Sequence, residues 1–277
     1  MIGACAADFC VAGPGAQILS NGPYGRGGAQ SIGYIESEVQ GGPIGGDHPV
    51  PRGHAWGTKV AEDDGLAADE SATVEEMWER LTWFLARIVP VAEEAGVSLA
   101  AHPDDPPIPV LRGVGRMITH PSLYQRLLDI YDSPSNALEF CQGTISEMAS
   151  AADGLAGGLA VPRGSEVPEA VRQYASQGKI AYVHFRNVVG QVPNYKEVFI
   201  DEGDIDMHVC LSIYRDAGYD GVFIPDHTPS VHVGGWHAGM AYALGYIKAA
   251  AKAVGLEVDD GPPNPHLNPR LATDARL

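Results

Sequence analysis

Four short apolar runs, each closed by a side chain able to bind a metal ion, recur along this 277-residue chain at nearly even spacing. They are Val97-Ser98-Leu99-Ala100-Ala101-His102, Ala137-Leu138-Glu139-Phe140-Cys141, Ile180-Ala181-Tyr182-Val183-His184 and Gly221-Val222-Phe223-Ile224-Pro225-Asp226, ending at intervals of 39, 43 and 42 residues. About forty residues accommodates one strand, one helix and two loops, the repeat of a parallel α/β barrel. The C-terminal ends of the strands of such a barrel converge on one face. His102, Cys141, His184 and Asp226 are therefore expected to meet in space and share one ion.

Composition narrows the role. A chain that is 45% hydrophobic and 19% charged can bury one large core. Its formal charge of −17, with no basic run, excludes a nucleic-acid partner. No apolar stretch approaches the roughly 18 residues of a membrane span. Cys5, Cys10, Cys141 and Cys210 form no CxxC pair, which points to a reducing cytoplasm rather than a disulfide scaffold. The number of subunits is left open, a homo-oligomer included.

Along the chain, residues 1–12 read as a strand and about 13–70 as a long Gly- and Pro-rich loop. Thr73 opens a helix with Glu76 as its capping-box partner. Its apolar stripe is Val74, Met77, Trp78, Leu81, Phe84, Leu85 and Ile88, Pro90 is expected to kink it, and Gly96 stops it. Further helices are expected near Ser122–Tyr131, Glu169–Gln177, Asp206–Ala217 and Gly239–Gly255, and a short extra strand over Lys196–Ile200. The expected architecture is a TIM-type (β/α) barrel over 1–255 with an extended tail over 256–277. About five strands are counted where a closed barrel needs eight. The barrel is accordingly read as incomplete at its N-terminus.

Two imidazoles, a thiolate and a carboxylate suit a borderline divalent ion rather than Mg²⁺ or Ca²⁺. Beside them, Arg186 is a candidate for holding a substrate carboxylate and Asn187 for holding a hydroxyl. A salt bridge within the barrel rim is the competing role for Arg186. His227 is a candidate acid or base, with a supporting hydrogen bond as the competing role. At least one of Asp104 and Asp105 is expected merely to cap its turn.

The strings His102-Pro103-Asp104-Asp105-Pro106-Pro107, Cys141-Gln142-Gly143, His184-Phe185-Arg186-Asn187-Val188, Gly203-Asp204-Ile205-Asp206-Met207 and Pro225-Asp226-His227 resemble the D-mannonate dehydratase family over roughly residues 97–250. The likeness is weaker around Gly25–Ala29. The resemblance implies a barrel related to xylose isomerases. It also implies dehydration of a sugar acid, D-mannonate, to 2-keto-3-deoxy-D-gluconate in hexuronate breakdown, with Mn²⁺ or Fe²⁺ as cofactor. It assigns His102, Cys141, His184 and Asp226 to the metal and sets Arg186, Asn187 and His227 close to substrate. The family's catalytic tyrosine has no clean match near Met240; Tyr242 is taken as the catalytic candidate, with Tyr246 shifted and His237 as a substitute. Asp226, His227 and Tyr242 are then the groups for proton transfer. Two rival readings are a metal-dependent sugar isomerase or epimerase on the same barrel, and a catalytically silent fragment.

Overall fold

The computed structural model describes residues 18–19, 26, 29, 31–35, 54–55, 58–59, 72–111, 114–149 and 164–259. The strand expected over 1–12 lies outside them, as does most of the 13–70 segment and the tail beyond 259. Twelve strands and six helices are labelled here in chain order. The strands are β1 (Ile18–Leu19), β2 (Ile32–Ile35), β3 (His54–Ala55), β4 (Thr58–Lys59), β5 (Leu99–Ala101), β6 (Val110–Leu111), β7 (Val114–Gly115), β8 (Asn136–Cys141), β9 (Ile180–His184), β10 (Asn187–Gln191), β11 (Asn194–Val198) and β12 (Val222–Ile224). The helices are α1 (Val74–Ala95), α2 (Leu123–Leu128), α3 (Gln142–Glu147), α4 (Glu166–Ser176), α5 (Met207–Asp216) and α6 (Gly235–Ala253).

Parallel strands β5, β8, β9 and β12 lie side by side in chain order. Helices α2, α4 and α5 fall between them in sequence, giving consecutive β/α units of a TIM-type barrel. The strands read as apolar runs because a parallel sheet is covered on both faces; every residue of β8 is buried.

Helix α1 starts as the capping box requires. Thr73 Oγ1 accepts from the Glu76 amide at 3.2 Å, and the Glu76 carboxylate accepts from the Thr73 amide at 2.7 Å. Met77, Trp78, Leu81 and Leu85 are buried, while Val74, Phe84 and Ile88 pack partly against the same core. The helix runs on through Pro90 and ends on Gly96 at φ 67°, a left-handed cap.

Two sequence expectations are corrected. The extra strand near Lys196–Ile200 is one arm of an antiparallel hairpin, β10–β11, whose other arm begins at Asn187 directly after the His184 strand. Part of the 13–70 segment is also strand, since β2 pairs with β11 and extends this second sheet to the order β1-β2-β11-β10. The short helix α3 follows Cys141 without a break. All six of its residues are buried.

Candidate metal centre

Strand register does most of the assembly. Cys141 on β8 is the Cα partner of His184 on β9, and His184 is the partner of Ile224 on β12, two residues before Asp226. Ala101, just before His102, pairs with Leu138. A register shift at Leu138/Glu139 then re-aims the residues that follow. One ligand atom each from His102, Cys141 and His184 lie within 4.8 Å of one another. Asp226 stands beside this trio: its Oδ2 is 3.3 Å from His184 Nδ1. Its backbone is left-handed at φ 65°, a costly geometry for a non-glycine residue that the surrounding network must hold.

The electrostatics favour a cation. Burial alone would raise the Cys141 thiol, but the Arg186 charge and the His102 and His184 imidazoles outweigh it. Cys141 is therefore held well below the ordinary thiol range, as a thiolate. It also accepts hydrogen bonds from the Thr144 amide and hydroxyl at 3.5 and 3.2 Å, capping α3. Burial opposes charge on both imidazoles; the Cys141 thiolate and Glu139 raise His102 to about 9, and Asp226, Cys141 and Glu139 push His184 up to about 12. Thiolate and carboxylates thus gather positive charge around themselves.

The residues fit a divalent ion. His102 Nδ1 lies 2.6 Å from the Pro103 carbonyl, so in the neutral ring Nδ1–H donates there and Nε2 offers a lone pair. That Nε2 is buried and makes no hydrogen bond. One imidazole nitrogen with no other partner, beside a thiolate and a second imidazole, is the donor chemistry of a borderline metal.

Sequence reasoning missed Glu139. It lies two residues before Cys141 on the same strand face, only 6% exposed, with Oε1 2.8 Å from His184 Nε2. Strand alternation back from Cys141 would have found it.

Arg186 lies inside a buried cluster of carboxylates. It is 3% exposed and reaches Glu147 at 2.7 Å, Asp105 at 3.0 Å, Asp226 at 3.1 Å and Glu197 at 3.3 Å. These carboxylates surround its donors, as a salt bridge within the barrel rim would. Gly143 is required here, because a Cβ would sit 2.5 Å from Arg186 Nη1. Asp104 and Asp105 both reach beyond their own turn. Asp104 accepts from the Met117 and Ile118 amides and pairs with Arg116, while Asp105 joins the Arg186 network and accepts from Tyr195 Oη at 2.8 Å.

Asn187 acts as a latch between segments. Its amide donates to the Ile200 and Ile205 carbonyls and accepts from the Val188 and Ile205 amides, which fills its four hydrogen-bonding positions. A Cβ on Gly203 would run into its Oδ1. Asn187→Ala is expected to cost about 2–4 kcal/mol of stability through the buried backbone groups it orphans, with metal bound per folded molecule unchanged. Urea unfolding and metal analysis on the same sample check this.

Tyr242 lies on α6 beside Phe199 and Arg26. It is 42% exposed, its ring meets Phe199 edge-on at 5.7 Å, and its hydroxyl lies 3.4 Å from Arg26, which pairs with Asp201. His227, by contrast, stands at the centre, with Nε2 3.1 Å from Asp226 and Nδ1 2.7 Å from Glu197. Burial opposes its charge, but Glu197 and Asp226 outweigh that and raise it well above the usual imidazole value.

The family model for D-mannonate dehydratase (UxuA) matches residues 53–258. The chain belongs to the D-mannonate dehydratase family. Mannonate dehydratase 2 of Halalkalibacterium halodurans is 30% identical over 207 residues, 72% of this chain and 55% of that protein. The mannonate dehydratase of Streptococcus suis (strain 05ZYH33) is 29% identical over 252 residues, 84% of this chain and 64% of that one. The crystal structure of mannonate dehydratase from Streptococcus suis serotype 2 superposes with a TM-score of 0.65 at 25% identity, covering 90% of this chain and 65% of its own. The chain thus spans between about half and two thirds of the length of these mannonate dehydratases. Their family match begins well ahead of the residues near 97 where the motifs start. Among the described residues no helix is long and apolar enough to cross a membrane.

Proposed function

We propose that this chain carries the metal centre and proton-transfer groups of a cytoplasmic mannonate dehydratase, which removes water from D-mannonate to give 2-keto-3-deoxy-D-gluconate in hexuronate breakdown. The observation that supports the reading is the convergence of His102, Cys141 and His184 within 4.8 Å, at strand ends of a chain in this family. Asp226 completes the proposed ligand set, and its contact with His184 is the support for that. Mn²⁺ or Fe²⁺ suits such a mixed nitrogen, sulfur and oxygen set. When bound, the ion supplies positive charge for the substrate carboxylate and for the negative charge that develops beside it as the C2 proton leaves.

The protein groups handle the protons. His227 delivers its Nε2 proton to the departing C3 hydroxyl, which leaves as water. The C2 proton passes to the Asp226 carboxylate, 3.1 Å from that same Nε2, and returns from there to the imidazole. The enol that remains tautomerises to the 2-keto acid, so atoms and charge balance. Asp105, Glu147, Glu197 and Asp226 hold Arg186 in place, and its charge keeps Cys141 deprotonated.

The test is turnover. Protein reconstituted with Mn²⁺ or Fe²⁺ is expected to convert D-mannonate to the 2-keto-3-deoxy acid and to leave neutral ketoses and aldoses untouched. Epimerisation of neutral sugars without mannonate dehydration would establish the isomerase reading instead. Bound metal with no turnover of either class would leave a silent metal-binding chain.

A further inference from the structure

We infer that Glu197 is a positioning residue for His227: from the inner face of the β10–β11 hairpin its carboxylate holds His227 Nδ1, so that only the Nε2 proton is exchanged during the reaction. The inference rests on the mannonate dehydratase reading and adds to it a residue that the strand-end motifs do not contain.

The geometry carries it. Both Glu197 oxygens lie 2.7 Å from His227 Nδ1, and Glu197 is 5% exposed. Nδ1–H donates to this carboxylate whether the ring is neutral or charged, which fixes the tautomer and turns Nε2 towards Asp226. Glu197 also reaches Arg186, but at 3.3 Å, the longest of that guanidinium's four carboxylate contacts. Arg186 is thus served by the other three, and the short contact of Glu197 goes to His227.

The hairpin is built to keep that contact. Glu197 pairs with the fully buried Val188, next to Asn187, whose side chain ties the hairpin base to the 200–205 segment. Tyr195, two residues earlier and so on the same strand face, donates to Asp105 at 2.8 Å and stacks on Tyr34 of β2 at 5.4 Å. The inner face therefore enters the charged network at two points. A carboxylate on the far nitrogen of a proton-transfer imidazole orients the ring and stabilises its cation, and losing its charge alone costs turnover rather than binding.

The deciding experiment is a double-mutant cycle on metal-loaded protein. Glu197→Gln keeps shape and removes charge; it is expected to lower kcat about 10²-fold, with KM within about twofold and bound metal unchanged. In a His227→Gln background the same change is expected to lower kcat no further, because its effect runs through the imidazole. Glu197→Asp, which retains the carboxylate, is expected to recover part of the loss and covers the case in which the glutamine variant does not fold. A normal kcat in Glu197→Gln overturns the inference, as does an equal loss with and without His227. ¹⁵N NMR of His227 separates this outcome from a failure of the dehydratase reading. The protonated Nδ1 signal should change in Glu197→Gln even if wild-type protein turns over no mannonate, and an unchanged signal overturns the inference in that case too.

Discussion

Cys141→Ser is expected to lose metal and turnover together while the fold survives. Serine is among the best N-cap residues, so α3 should start as before with a hydroxyl accepting from the Thr144 amide. What disappears is the thiolate. Arg186, His102 and His184 hold Cys141 ionised against its burial, whereas a serine hydroxyl stays neutral in the same field. Metal affinity should fall by more than the roughly 10–100-fold that follows the loss of an outer hydrogen-bonding partner. Elemental analysis of the purified variant against wild type reads this directly, with thermal unfolding as the control. A serine variant with wild-type metal content would remove the case for a Cys141-centred site.

The barrel strands were legible because their physics is local. A strand buried on both faces must be apolar along its length, and a metal-binding residue at its end stands out against that run. Helix α1 was legible from its cap and its stripe for the same reason. The hairpin was half legible. Lys196–Ile200 reads as a strand, but Asn187-Val188-Val189-Gly190-Gln191 directly continues a barrel strand, and only the pairing of Asn187 with Val198 reveals the reversal. Glu139 was overlooked because a charge in an apolar run was passed over rather than placed on the face of Cys141.

The charged network was beyond single-segment reasoning. Asp105, Glu147, Glu197 and Asp226 come from four separate segments, and nothing in any one of them says that it meets Arg186. The resemblance named His227 and Arg186 as neighbours of substrate, yet a family motif does not say whether a guanidinium faces a ligand or the protein. What the fold adds is its surroundings: the side chain is 3% exposed and lies among four carboxylates. Tyr242 shows the converse case. Its place in sequence suggests proton transfer, and sequence alone does not show that on α6 it lies against Arg26 and Phe199.

Arg186→Met should therefore act on stability and on the metal site before it acts on substrate binding. The guanidinium is the cation on which Asp105, Glu147 and Glu197 converge, and removing one partner of a buried pair costs about 3–5 kcal/mol because the remaining charge is left uncompensated. Glu147 limits the damage: burial already pushes its carboxyl well above the usual range even beside Arg186, so it can persist uncharged. Asp105 is ionised against its burial chiefly by Arg186, so losing that charge pushes its carboxyl up and weakens the contacts that need it ionised. Cys141 would lose its largest stabilising charge at the same time, and metal affinity should fall although no ligand has been touched. Arg186→Lys, which keeps the charge but cannot reach several carboxylates with one planar fork, should fall between wild type and the methionine variant. Thermal unfolding and metal titration across the three proteins give the order. If the methionine variant unfolds at the wild-type temperature, binds metal normally and differs only in KM, then Arg186 grips the sugar acid after all and the four carboxylates around it are not what keeps it there.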